Sequence, residues 1–226
     1  MDERSETIGG SPNASEANGV SDRRPDGPRR DERPRPVRSE TNSRPGSDSR
    51  PHTTDRDTAA PAGAPHLQVR PAVPDDALPV FALHVASIRA LGPEAYDPDQ
   101  VRAWARKDHG PDAYPIEEDD HHFVVAERGE EIAGFGDLVP DSEEVDADAD
   151  VRAVYVHPDH VGRGVGAAIL AELEGYARGA GVASIGITAS LNAVGFYERA
   201  GYERLREDAY DTGGTELDVV VLRKEL

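Results

Sequence analysis

Val154-Tyr155-Val156-His157-Pro158-Asp159-His160-Val161-Gly162-Arg163-Gly164-Val165-Gly166-Ala167-Ala168 is the stretch on which the reading of this chain turns. Its first residues continue an apolar run from Val151 that reads as a buried strand, and Pro158 ends that strand because it has no amide to give a neighbour. Glycines at 162, 164 and 166 then remove side chains at the entry to a helix. That helix carries an apolar stripe of Ile169, Leu173 and Tyr176 and stops near Gly179 and Gly181. The first amides of a helix have no intrahelical partner and lie at the positive end of its dipole, so bare backbone there suits an anion, phosphate above all. Arg163 can add a charge-assisted contact.

Glycine loops of this kind serve several chemistries. A Walker A loop closes on Gly-Lys-Ser/Thr, and Gly166-Ala167 lacks the lysine, which excludes it. Gly162, Gly164 and Ala167 do fit Gly-x-Gly-x-x-Ala, a dinucleotide fingerprint. Against it, the next strand, Val182 to Thr188, ends without the acid that would hold a ribose, and the glycines follow an antiparallel hairpin instead of opening a parallel unit. A glycine-rich helix entry that binds nothing stays open on the loop alone.

Outward from this stretch, strand and helix periodicities alternate. Upstream lie an acidic loop, Asp141 to Asp150, and a hairpin in which His122 to Ala126 and Ile132 to Leu138 flank the turn Arg128-Gly129-Glu130. Earlier still, Leu67 to Arg70 reads as a short strand, and Leu78, Phe81, Val85 and Ile88 recur at helical spacing up to about Leu91. Asp97-Pro98 is a cap followed by a proline at the first position of a second helix, running to about Lys107. Downstream, Val182 to Thr188 is a strand, Asn192 to Arg199 a short helix, and Tyr202 to Tyr210 with Leu217 to Leu222 a closing hairpin across Thr212-Gly213-Gly214. This is an α/β order, for which a mixed sheet with helices on both faces is the natural packing.

Two segments together carry a resemblance. Val154 to Gly166, quoted above, resembles the acetyl-CoA pyrophosphate motif of the GNAT N-acetyltransferase family. Ser190-Leu191-Asn192-Ala193-Val194-Gly195-Phe196-Tyr197-Glu198-Arg199-Ala200-Gly201-Tyr202 resembles that family's downstream motif. With the order of elements, the similarity covers about residues 67 to 226. It implies the GNAT fold, a central mixed and mostly antiparallel sheet flanked by helices, with acetyl-CoA as co-substrate and no metal. One position departs from the pattern: Val161 stands where the family usually has Gln or Arg. That implies a weaker grip on the diphosphate, for which Arg163 can compensate.

The resemblance also distributes roles. The pantetheine arm is expected to pair with the backbone of Val154, Tyr155 and Val156, and the diphosphate to lie on the amides of Gly162, Arg163, Gly164, Val165, Gly166 and Ala167. Asn192 either orients the pantetheine arm or caps the short helix. Tyr197 matches the family's usual general acid, and a phenol with an ordinary pKa of about 10 stays neutral until it meets a departing thiolate. Its alternative is plain packing beside Phe196. Asp150, just before the cofactor strand, is the first choice for a base acting through water, although it is one acid of an acidic loop. Acceptor selection falls to the first two helices, where His84, Arg89, Tyr96 and Trp104 are conspicuous and Arg89 and Trp104 are the chosen substrate contacts. His157 and His160 are better explained by a strand end and a turn than by a metal.

Composition divides the chain. Residues 1–65 contain no Phe, Trp, Tyr or Leu and are rich in Arg, Asp, Glu, Ser and Pro, so they are expected to form a disordered arm ahead of a domain at 66–226. Of 25 basic and 44 acidic residues, 11 and 12 fall in the arm, which leaves 14 and 32 in the domain. That balance argues against a nucleic-acid face, save for a role of the Arg-rich arm as a tether. With only Lys107 and Lys224 as lysines, it points to a salt-adapted, halophilic cytoplasmic protein whose carboxylates stay hydrated where salt screens their repulsion. There is no cysteine, hence no disulfide or thiol nucleophile, and no apolar run long enough to span a bilayer. The function expected is acetyl transfer to a primary amine of a small molecule or protein. The alternative is a regulatory module that holds acetyl-CoA without using it. A homodimer is compatible with either.

Overall fold

The computed structural model describes residues 66–107, 109–140 and 145–226. The expected arm at 1–65 and part of the acidic loop lie outside them. Among the described residues seven strands form one sheet: β1 (Leu67–Pro71), β2 (His122–Arg128), β3 (Glu131–Pro140), β4 (Ala149–Val156), β5 (Ser184–Ser190), β6 (Glu203–Asp211) and β7 (Glu216–Glu225). Their order is β1-β2-β3-β4-β5-β7-β6, antiparallel throughout except for the parallel pair β4 and β5. The mixed, mostly antiparallel sheet expected from the resemblance is therefore present. What periodicity did not reveal is that β7 inserts beside β5 and leaves β6 as an exposed edge.

Among the described residues four α-helices join the strands: α1 (Ala77–Leu91), α2 (Pro98–Trp104), α3 (Val165–Gly179) and α4 (Val194–Arg199). The Asp97 carboxylate accepts from the amides of Asp99 and Gln100, with Pro98 at the first helical position, so α2 starts where cap chemistry placed it. It ends at Trp104, three residues short of the expected Lys107. β5 begins at Ser184 instead of Val182, and α4 begins at Val194 instead of Asn192. At β5 the cause is Asp148, whose carboxylate accepts from the amides of Ala183 and Ser184 and from the Ser184 hydroxyl, fastening the strand there.

The face that α1 buries differs from the one its apolar spacing indicated. Val80, Leu83, His84, Ser87 and Ile88 point inward, whereas Leu78 is 65% exposed. Two of the inward residues are polar, so a reading keyed on apolar side chains rotates the stripe by about one residue. On α3, Ile169 and Leu173 are buried as expected, but Ala177 takes the next inward position and Tyr176 lies outside, stacked on His122 with ring centroids 3.7 Å apart.

The main core includes Val124, Leu138, Val151, Ile169, Leu173, Ile185 and Leu222. Gly134 and Gly136 on β3 let α3 settle close to the sheet. A Cβ at Gly136 would lie 2.4 Å from Ile169 Cγ2, and one at Gly134 would lie 2.8 Å from Ile169 Cδ1. On α1's side, Val80, Leu83, Phe123, Val125 and Phe135 form a second cluster. Tyr96, Trp104, Leu217 and Val219 belong to a third.

Candidate functional site

β4 and β5 share only two register pairs, Ala149 with Ile185 and Asp150 with Gly186. Beyond them β4 stays paired to β3 as far as Val156, and β5 stays paired to β7 as far as Ser190. The backbone of Val151 to Val156 that faces β5 therefore has no strand partner, which no buried sheet tolerates unless something else completes it. The closed end of this wedge is held by Asp148. Along its flank β4 carries a bulge: Asp137 pairs with Ala153 and Leu138 with Val151, so Arg152 is the extra residue.

At the wide end, β4 runs through a single turn, Pro158–His160, into the glycine loop and α3. Gly162 and Gly164 have φ of +73° and +83°, the left-handed region that favours glycine. A Cβ at either would meet nothing within 4 Å, so the loop faces open space. Gly166 is different, since a Cβ there would touch Phe196 and Val156 at 3.4 Å. The amide of Arg163 bonds back to His160 and that of Ala168 to Gly164, while the amides of Val165, Gly166 and Ala167 start the helix and have no carbonyl one turn before them to take. Arg163 is exposed beside them.

Across the wedge, Asn192 donates from Nδ2 to the carbonyl of Leu91 at 3.3 Å, and its Oδ1 is buried without a partner among the described residues. An orphan acceptor at this place fits a ligand amide. Tyr197, on α4, is 4% exposed and packs edge-on against Phe196 and Tyr202. Burial alone pushes its phenol well above the ordinary value. Asp150 is buried at the narrow end, with Arg152 Nε 3.1 Å from its carboxylate.

On the α1 side, Tyr155 sits within an aromatic group: its ring lies 4.0 Å from His84, 5.3 Å from Phe135 and 6.5 Å from Trp104. His84 Nδ1 bonds the Tyr114 hydroxyl at 2.8 Å, and its Nε2 is buried with no partner among the described residues. Burial, with smaller contributions from Lys107 and His109, holds His84 well below its usual range, so the ring is neutral. Sequence reasoning noted His84 only as conspicuous. Its place on the buried face of α1 is the signal that periodicity missed.

The two chosen acceptor contacts fall in different places. Arg89 is exposed and lines an open cleft of about 660 Å³ together with Tyr96, Arg102 and Arg106. Trp104 does not line it; its indole stacks edge-on against Tyr96 from behind, at 5.6 Å. His157 Nδ1 accepts from the amide of Asp159, and His160 packs against Glu131 at 3.3 Å, so both serve the turn. Glu118, Asp120 and His121 also bring ligand atoms within 4.8 Å of one another on the surface, with His121 Nδ1 turned to Asp137 at 3.0 Å.

A sheet parted on one side, with a glycine-lined helix start at the wide end of the gap, has the shape and the free backbone groups to suit an elongated ligand with a phosphate portion. The acetyltransferase (GNAT) domain family matches residues 93–218, and the chain belongs to that family. Among solved structures, a GCN5-related N-acetyltransferase from Rhodopseudomonas palustris is 29% identical, with a TM-score of 0.64 over 73% of this chain and 97% of its own. The PaiA N-acetyltransferase of Thermoplasma acidophilum, in complex with coenzyme A, is 17% identical with a TM-score of 0.58, covering 71% and 99%. YncA of Salmonella typhimurium, a putative acetyltransferase with its cofactor acetyl-CoA, is 20% identical with a TM-score of 0.50, covering 71% and 94%. No curated protein matches the chain. Among the described residues no helix is long and apolar enough to cross a membrane.

Proposed function

We propose that this chain transfers the acetyl group of acetyl-CoA to a primary amine by direct attack. The observation that carries the reading is the wedge between β4 and β5, closed by Asp148 and opening onto left-handed glycines at 162 and 164. Two proteins of the same fold hold coenzyme A or acetyl-CoA. Backbone groups of Val154, Tyr155 and Val156 are assigned to the pantetheine arm, and Asn192 Oδ1 to one of its amides. The amides from Gly162 to Ala167, with the Arg163 side chain, are assigned to the diphosphate, Arg163 making up for Val161.

Acetyl-CoA supplies an activated acyl carbon: a nitrogen–carbon bond forms, the carbon–sulfur bond breaks, and the thiolate leaves. Tyr197 then donates the proton that the thiolate takes up, and its buried, unionised phenol suits that task. Asp150, tied to Arg152, is assigned to remove the acceptor's proton through a water molecule. Arg89 meets the acceptor directly, and Trp104 acts through Tyr96, whose ring it supports. The catalytic unit is proposed to be residues 66–226, with 1–65 an appended arm, in a salt-rich cytoplasm.

Calorimetry on folded protein in high salt should give heat with acetyl-CoA and none with NAD, and thiol release should appear with at least one member of an amine panel. No heat with acetyl-CoA removes the reading altogether. Tight binding without acceptor-dependent thiol release replaces it with a non-catalytic acetyl-CoA sensor.

A further inference from the structure

The cleft lined by Arg89 lies between the end of α1, the turn at residues 92–96 and α2. Its floor is apolar, with Val101 and Ala105 among its residues, and its rim holds three arginines, Arg89, Arg102 and Arg106. Among the described residues no acidic one lines it. That is against the grain of the molecule: the domain carries 14 basic residues among 32 acidic ones, yet three of the basic ones ring this one cleft. Arg102 pairs with Asp99 on the exposed side of α2, and Arg106 reaches the β6–β7 turn, its Nη2 3.8 Å from where a Cβ on Gly213 would be. Arg89 makes no hydrogen bond or ion pair among the described residues.

The cleft also adjoins the wedge. Tyr96, which lines it, accepts from the amide of Leu191, the residue that follows β5 at the wide end of the gap. The Leu91 carbonyl, at the end of α1, accepts from Asn192. The cleft's wall is thus tied by hydrogen bonds to the two residues that follow β5, on one bank of the wedge.

From the three guanidinium groups, the apolar floor and the junction with β5, we propose that the acceptor is a small amine that also carries a carboxylate, held in this cleft by Arg89 and Arg106. This rests on the acetyltransferase reading of the same site. A planar guanidinium meets a carboxylate with two parallel hydrogen bonds, a fit that an amide or hydroxyl cannot reproduce. The dense negative surface elsewhere repels polyanions at long range, so the local positive rim selects a compact anion over a nucleic acid. An aliphatic or aromatic body between amine and carboxylate would lie on Val101 and Ala105.

The test compares amino acids with their carboxamides, using the full chain. Thiol release from acetyl-CoA should favour the acids over the matching amides by about tenfold or more in kcat/KM. In Arg89→Gln and Arg106→Gln that ratio should fall towards one, chiefly through KM. Equal or better turnover of the amides overturns the proposal, and so does a ratio that survives both substitutions. Calorimetric titration of the same acids in the absence of acetyl-CoA separates the two readings. If the cleft binds acids with an affinity that Arg89→Gln weakens, while acetyl-CoA gives no heat, the cleft assignment stands and the acetyltransferase reading falls. If acetyl-CoA turns over on amines that bear no acid and the titration shows no acid binding, the reverse holds.

Discussion

The hydroxyl of Tyr96 accepts from the backbone amide of Leu191 at 2.9 Å while donating to the carbonyl of Asp218 at 2.6 Å. One phenol thus ties the turn after α1 to the ends of two neighbouring strands. Tyr96→Phe keeps the ring against Trp104 and strands both backbone groups, at a cost of about 1–3 kcal/mol. A thermal melt should show a midpoint several degrees lower. A midpoint within a degree of the parent would mean that water replaces the hydroxyl at no loss.

Tyr197→Phe isolates chemistry from packing. Burial is the sole cause of the raised phenol pKa, and no bonded partner contributes, so removing the oxygen should leave the melting temperature nearly unchanged. Acceptor-dependent kcat should nevertheless drop by about 10²-fold, the usual contribution of a positioned acid. Undiminished kcat would take the proton donor's role away from this residue.

Two glycines predict opposite outcomes. Gly136→Ala forces a methyl to 2.4 Å from Ile169 Cγ2 and 3.1 Å from Leu173 Cδ1, so it should destabilise by about 1–3 kcal/mol. Gly175→Ala, exposed on α3 with nothing within 4 Å of the new carbon, should stabilise by about 0.5–1 kcal/mol. Denaturant midpoints moving the same way for both would refute the close approach of α3 to β3.

Lys107 gives a pH signature. Burial lowers its pKa from 10.5 to about 8. Between those values the unfolded chain holds the proton more tightly than the folded one, so stability attributable to this residue rises with pH across that window. Below pH 8 the burial penalty is fully felt. Lys107→Met should therefore raise stability at pH 7.5 and flatten the rise between pH 8 and 9.5, read from urea midpoints at each pH. A parallel rise in parent and variant would contradict it.

Salt should matter more than for an ordinary domain. With a net charge of −19 the surface repels itself in dilute buffer. The circular dichroism melt should shift upwards between about 0.1 M and several molar KCl, and an unchanged melt would remove the salt-adapted reading.

Much of the architecture was legible in the residues. The order of elements followed from alternation between periods of two and 3.6, from Asp97-Pro98 and from Pro158, because each is a local chemical signal. The entry of β7 beside β5 was not legible, since strand neighbours are chosen by long-range packing. The wedge was hidden too: that β4 parts from β5 after Asp150 is a matter of register, and β-branched residues look alike whether paired or not. At the site, the glycine loop announced itself through missing side chains. The buried place of His84 did not, because a histidine among apolar neighbours contributes nothing to an amphipathic pattern. The arginine-ringed cleft gathers Arg89 and Arg106 from separate segments, which only the folded chain brings together.

Two residue pairs are all that stitch β4 to β5, so the sheet amounts to two slabs leaning on a common apolar bed. Whatever lies between them touches both at once and works as a brace. Ligand loading should therefore be felt well away from the reacting atoms, as slower proteolysis and slower amide exchange along both banks of the seam.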